Sequence, residues 1–432
     1  MRDQNKEIKP SRKGFISNYP HFRYWKKHAI DGMMAEEPVN IYLHVPFCMQ
    51  KCAYCYYRTE ILKSGDELDA LVDSMCREIA AASRRFHFKN RPVNTIYIGG
   101  GTPSLLTADM LKRIVASLQE NFKMDKPEFT MEAEPRTINA KKVKTYNDLG
   151  VTRISMGVQS FCDEIIKSSG RDHTAEKALK ALDTIRDVGE NNMVINIDLL
   201  SGLAGETADT WSSTLDTAIE TGVHSITVYK MEVYLNTDFF KQSVRKKIVQ
   251  LPPESQELEF MKMAAAKFAS CNYKPWSFFT FTRNGEFPHH YAINIWKGED
   301  CCAFGPSGFG VLGFYNYQNT GNMDSYHSLT KEGKISAIRG YKLSSKELMV
   351  RDVLLGMKLT GFDRKHFVAR HGFDFCTVIP GTVEELRSEG YILLEEDAIR
   401  LNSKGILYGD YVGKKLAYSL KKYLGLDELS LY

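Results

Sequence analysis

The chain has 432 residues, 43% of them hydrophobic and 25% charged, an ordinary globular composition with length for about two or three domains. Its net charge of +4 is too small to imply a nucleic-acid partner, and no run approaches the roughly 18 apolar residues of a membrane span. Nothing after Met1 forms a signal-peptide core, and nine cysteines, an odd number, fit a reducing cytoplasm better than a disulfide framework.

Residues 1–38 form a basic arm. Arg2, Lys6, Lys9, Arg12, Lys13, Arg23, Lys26 and Lys27 stand there against Asp3 and Glu7, which predicts a solvated extension able to meet an anionic substrate or partner. Residues 39–235 then alternate strand and helix. Strand-like runs are Ile41–Val45, Thr95–Ile98, Phe129–Glu132, Ile154–Val158, Val194–Leu200 and Ser225–Met231. After the first strand, Leu68, Leu71, Val72, Met75 and Ile79 mark one face of a helix, with Ser64 and Glu67 as a capping box before it. Later helices stop at Gly150, Gly189 and Gly222, where glycine suits a left-handed terminal position. Repeated β/α units predict an α/β fold with a parallel sheet and outer helices. Periodicity alone does not separate an open sheet from a partial barrel. In either, ligands bind at the C-terminal ends of the strands.

Residues 236–340 are mixed and aromatic-rich, from Trp276, Phe278 and Phe279 to Phe314, Tyr315 and Tyr317. They read as a sheet extension with its own core, or as an apolar wall over an active site. Residues 341–432 are helical and then shorter-ranged, with Ile392–Leu394 and Ile399–Leu401 as a hairpin; this predicts a small winged-helix-like domain. It has no concentrated basic helix of the kind that reads DNA.

The chemistry sits at the strand ends. Cys48, Cys52 and Cys55 follow the first strand in the spacing Cys-x3-Cys-x2-Cys. Three thiolates on one loop can hold three corners of a cubane iron–sulfur cluster, leaving the fourth iron open to a chelating small molecule. The same cysteines also read as a zinc site or as structural thiols. Zinc would want a second ligand pair, which the adjacent Cys301 and Cys302 do not supply. Gly99-Gly100-Gly101-Thr102 follows the second strand and offers close backbone approach and N–H donors. Glu132 and Glu134, Gln159, Arg171 and His173, and Asp198 recur at or after the next strands. Singly, such residues are often caps; at successive strand ends they point to one shared site.

Taken together, these motifs make the chain resemble the radical S-adenosylmethionine (SAM) enzymes, and most closely the oxygen-independent coproporphyrinogen III oxidase family. The resemblance runs from about Tyr42 to Leu235 and resumes at about Ser344. It implies a partial (β/α)6 barrel with a [4Fe-4S] cluster on Cys48, Cys52 and Cys55 and SAM chelated to the open iron. An electron from the cluster would cleave SAM to a 5′-deoxyadenosyl radical. Tyr54 is the aromatic typical before the last cysteine, and Gly100 and Gly101 would line the methionine moiety. Tyr42, Thr102, Glu132, Gln159, Arg171 and Asp198 would bind the cluster-bound SAM. Gly305-Pro-Ser-Gly308-Phe-Gly310 matches a later glycine turn near a second SAM or the substrate. A flavodoxin or ferredoxin would supply electrons.

The family's members differ at two positions that are informative here. The oxidase has a further cysteine where this chain has Tyr57, and the haem chaperones have a histidine where it has Tyr291, with His289 and His290 just upstream. Both departures favour the methyltransferase, cyclopropanase and haem-degrading members over porphyrinogen decarboxylation or haem carriage. The implied mechanism uses two SAM molecules, the radical from the first attacking the methyl of the second, and a planar or unsaturated substrate with an sp2 carbon.

Overall fold

Alternation of side chains builds the central sheet. The six strands are β1 (Val39–Val45), β2 (Val93–Gly100), β3 (Glu128–Ala133), β4 (Arg153–Gln159), β5 (Val194–Ser201) and β6 (Ser225–Lys230). Each neighbouring pair is parallel. On one face lie Ile41, Leu43, Ile96, Ile98, Met131, Ile154, Met156, Ile195, Ile197 and Ile226, all buried in the main core. The alternate positions are polar or aromatic: Tyr42, Tyr97, Glu132, Ser155, Asn196, Asp198 and Thr227. The apolar face takes the helices and the other face lines the interior, so the strands are amphipathic although buried on both sides.

The structure, a computed structural model, describes every residue except 1–7, 12–13, 28–29, 35–38, 191–192, 247–248 and 427–432. Helices α1 (Gly65–Phe86), α2 (Ala108–Asn121), α3 (Ala140–Asp148), α4 (Ala175–Val188) and α5 (Ala208–Glu220) connect the strands. Leu68, Leu71, Val72, Met75 and Ile79 of α1 are buried, and the Glu67 carboxylate accepts the Ser64 N–H at 3.3 Å. Gly150 and Gly222 adopt positive φ as the sequence predicts, whereas Gly189 is extended at φ −66°. The six β/α units form a partial barrel.

Residues 236–340 extend the sheet at both edges. They contribute β7 (Tyr273–Pro275), β8 (Thr280–Arg283), β9 (Cys301–Phe304), β10 (Phe309–Leu312), β11 (Tyr315–Asn319) and β12 (Ala337–Lys342). The order is β12-β11-β10-β9-β1-β2-β3-β4-β5-β6-β8-β7, a 12-stranded sheet that does not close. Strand β9 runs parallel to β1, and the outer strands are antiparallel.

The C-terminal segment has its own core, built from helices such as Ser345–Gly356, Pro380–Ser388 and Gly409–Tyr423. The predicted hairpin is present, joined by a third antiparallel strand, Gly361–Asp363. Ile16 and Tyr19 are buried in this same core. The basic arm is therefore not a solvated extension where it is described. The Phe15 ring lies 3.5 Å from the Lys358 ammonium and packs against Phe278 and Phe279. Asn316 donates to the Tyr19 carbonyl at 2.7 Å. Apolar residues interleaved with the lysines and arginines make residues 14–25 a strap across the molecule; Arg2, Lys6, Arg12 and Lys13 lie outside the described residues. Among the described residues no helix is long and apolar enough to cross a membrane. The nine cysteines are all unpaired.

Candidate active site

The cysteine loop is held at the C-terminal end of β1 by backbone bonds on both legs. Glu60 N–H donates to the Pro46 carbonyl at 2.9 Å, and Leu62 N–H to the Cys48 carbonyl at 3.0 Å. The glycine turn after β2 binds the first leg, Gly101 to Val45 at 2.7 Å and Thr102 to Phe47 at 2.8 Å. A side chain at Gly101 would place its Cβ 2.6 Å from the Phe47 carbonyl oxygen and 2.9 Å from the Cys48 sulfur, so only glycine allows this approach. At the far side of the loop, Ala53 N–H donates to the Ser169 carbonyl, and Ala53 packs with Ile165, Leu200, Met231 and Phe239. Burial raises the Cys48 thiol above its ordinary range and pushes Cys55 to about 11.

Cys48, Cys52 and Cys55 all line one cavity of about 400 Å³. Among the described residues no three His, Cys, Asp or Glu side chains are gathered around one point, these cysteines included. Each corner of a cubane takes its own thiolate. Three thiols lining one cavity match the three protein ligands of a cluster with one open iron.

The interior face of the strands supplies the polar wall. Glu132 accepts from the Tyr97 hydroxyl at 2.5 Å and from the Gly100 N–H at 2.9 Å. Asp198 accepts from Ser155 at 3.1 Å and Asn196 at 2.9 Å. Register explains the pairing: Glu132 lies opposite Ser155, Ser155 opposite Asn196, and Gly157 opposite Asp198. Burial pushes the Glu132 carboxyl up to about 7 and Asp198 to about 6, each partly opposed by these hydrogen bonds. Two buried carboxyls raised this way mark a site that would be relieved by a cation.

Arg171 ties the polar wall to the cysteine loop. It donates to the Gly157 carbonyl at 2.8 Å, the Tyr54 hydroxyl at 3.3 Å and His173 Nδ1 at 3.2 Å, and its Nη1 lies 3.7 Å from the Cys52 sulfur. Glu134 is 3.7 Å away. Burial, followed by the Arg171 charge, lowers His173 to about 3, leaving it neutral and able to accept that bond. Gln159 ends β4 at φ +69°, a left-handed conformation uncommon outside glycine and asparagine that is often kept at functional sites.

Tyr42, Tyr54, Gly100, Gly101, Thr102, Glu132, Gln159, Arg171 and Asp198 all line the same cavity as the three cysteines. Gly305 and Gly308 do not. Gly305 donates its N–H to buried Glu78 at 2.9 Å, and at φ +90° a Cβ there would stand 2.3 Å from the His44 carbonyl oxygen. That glycine turn packs against β1 and does not line the cavity. Tyr291 is also elsewhere, stacked 4.8 Å from Tyr97 and with its hydroxyl 3.8 Å from the Cys301 sulfur. His289 lies beside Thr130 and Glu128, and His290 binds Glu128 through its backbone; neither lines the cavity.

Several functional positions escaped the sequence reading. Tyr97 positions Glu132, and Phe15, Tyr229, Tyr234 and residues 407–410 line the same cavity. Parity along β2 could have flagged Tyr97, since it shares the interior face with Tyr42.

Residues 42–218 match the family described as the Radical SAM superfamily. The chain is 28% identical over 379 residues to the heme chaperone HemW of Bacillus subtilis (strain 168), covering 86% of this chain and 97% of that one. It is 30% identical over 302 residues to the anaerobilin synthase of Escherichia coli O157:H7, covering 68% and 65%. The solved coproporphyrinogen III oxidase (HemN) of Escherichia coli superposes with a TM-score of 0.75 at 23% identity, over 88% of this chain and 90% of that one.

Proposed function

Because the chain belongs to the radical SAM superfamily, in the group like oxygen-independent coproporphyrinogen III oxidase, we propose that it cleaves SAM and acts on a tetrapyrrole of the haem class. One observation carries this reading: a single cavity holds the three cysteines, the polar wall and, beyond them, a lining of tyrosine and phenylalanine. Bound there, a [4Fe-4S] cluster and SAM would supply an electron and a 5′-deoxyadenosyl radical able to abstract hydrogen. Cys48, Cys52 and Cys55 would hold the cluster. Arg171 would take the SAM carboxylate, Asp198 the ribose and Glu132 a cationic group; Tyr42, Tyr54, Gly100, Gly101, Thr102 and Gln159 would enclose the rest.

The relatives' names refer to haem, a bilin and a porphyrinogen, all tetrapyrroles. None of these three refers to methyl transfer or cyclopropanation, and the Gly305 turn lies away from the cavity, so this reading uses one SAM. Haem carriage without chemistry is favoured by the extent of the match to the chaperone, 97% of its length. Against it, no histidine lines the cavity among the described residues, and the residues assigned above to SAM all do. Haem conversion therefore stands first. An external one-electron donor of flavodoxin or ferredoxin type would be required.

The test is anaerobic reconstitution with SAM, dithionite and haem, following 5′-deoxyadenosine and the haem Soret band. The expected result is 5′-deoxyadenosine with loss of the band. Haem bound and released unchanged, without SAM cleavage, would establish carriage. Haem left intact while coproporphyrinogen is consumed would establish decarboxylation.

A pH dependence follows for SAM affinity. In the free protein Glu132 and Asp198 hold protons to about 7 and about 6, above their unfolded values. The folded state then binds more protons than the unfolded state from about pH 4 to 7, so stability falls as pH rises through that window. A bound sulfonium and ammonium favours the ionised carboxylates. SAM affinity is expected to rise with pH and level off above about pH 7, and Glu132→Gln to flatten most of that rise. Equilibrium dialysis of SAM across the window measures it; an unaltered slope in Glu132→Gln would exclude the role.

A further inference from the structure

Large apolar side chains usually turn away from water. Four exposed ones here line the cavity: Met49, Tyr56, Tyr57 and Tyr229. Tyr56 is 41% accessible, Tyr57 50% and Tyr229 42%. All three rings line the cavity.

Three of the rings pack in series, one pair stacked and the other tilted. Tyr56 lies 4.4 Å from Tyr57 at 26° between planes, and 4.3 Å from Tyr234 at 39°. The series is fixed at both ends of its chain connections. Tyr234 donates to Glu232 at 2.7 Å, Glu232 also accepts from the Gly14 and Phe15 N–H groups, and Asn236 donates to the Tyr56 carbonyl at 2.8 Å. Tyr229 and Phe279, 5.7 Å apart at 30°, add a second near-parallel pair on the cavity wall. Packing alone would bury ring faces. A rigid series of accessible rings lining a cavity is suited to a flat conjugated ligand.

We propose that Tyr56, Tyr57 and Tyr234 form the platform on which the tetrapyrrole macrocycle stacks, with Tyr57 setting selectivity for a planar ring. This rests on the tetrapyrrole reading above. The ring face, not the phenol, makes the contact.

The test titrates metal-free protoporphyrin IX into the anaerobic full-length protein, reading porphyrin fluorescence; the probe has no iron for a phenol to ligate. Tyr57→Leu keeps an apolar side chain without a π face and is expected to weaken binding about five- to tenfold, whereas Tyr57→Phe stays within about twofold. Tyr234→Leu, outside the cysteine loop, should weaken it similarly and covers the case in which loop variants fail to hold their structure. Iron content and the unfolding midpoint verify each variant. Wild-type binding with equal affinity in both leucine variants overturns the platform alone. Equal losses in Tyr57→Phe and Tyr57→Leu overturn stacking. A wild type that cleaves SAM but binds no protoporphyrin overturns the tetrapyrrole reading and the platform with it.

Discussion

Cys52→Ala is expected to abolish SAM cleavage, a loss of about three orders of magnitude or more, together with the broad visible absorbance of an iron–sulfur cluster. The expectation follows from placement. Cys48, Cys52 and Cys55 share one cavity, and the loop that carries them is bonded to β1, to the Gly101 turn and to Ser169. Loss of one thiolate leaves two ligands for a cluster that needs three. Cys271→Ala, at an exposed cysteine outside the cavity, should leave both signals intact. Full iron content and cleavage in Cys52→Ala would remove the assignment.

Arg171 carries the second large effect. Its guanidinium is nearly buried and joins Gly157, Tyr54, His173 and Glu134 at the edge of the cysteine loop. Arg171→Met should lower SAM affinity about 100-fold. It should also destabilise the fold by about 2 kcal/mol, since the part-buried Gly157 carbonyl and Tyr54 hydroxyl lose their donor and Glu134 a neighbouring charge. Arg171→Lys restores the charge but not the fork, so stability should recover in part while affinity stays low. Dialysis and urea unfolding separate the two. Unchanged affinity with intact iron would show that Arg171 only ties the loop in place.

The parallel strands and α1 were legible because their periodicity is imposed by the core. Ile41 and Leu43 against Tyr42, or Ile195 and Ile197 against Asn196 and Asp198, state in sequence which face meets helices. Polar residues at successive strand ends were legible for the same reason. The Gly305 turn was not, because glycine that makes room for a ligand and glycine that makes room for the His44 backbone have the same sequence signature. The aromatic segment was half legible. Phe278 and Phe279 reach the cavity, while Phe304 and Tyr317 are buried in the main core. The tyrosine platform was invisible because its parts lie near residues 56 and 234, joined only by the fold. In the arm, a charge run masked Phe15, Ile16 and Tyr19.

The strap has a consequence for the order in which the molecule is made. Gly14 leaves the ribosome 400 residues before Lys414, which holds its carbonyl, and its N–H is held by Glu232. Closing so long a loop must wait until its far end exists. The strap thus settles only after Lys414 has been made. Until then the cavity has no lid, and the cysteine loop beneath it stays open to delivery from outside.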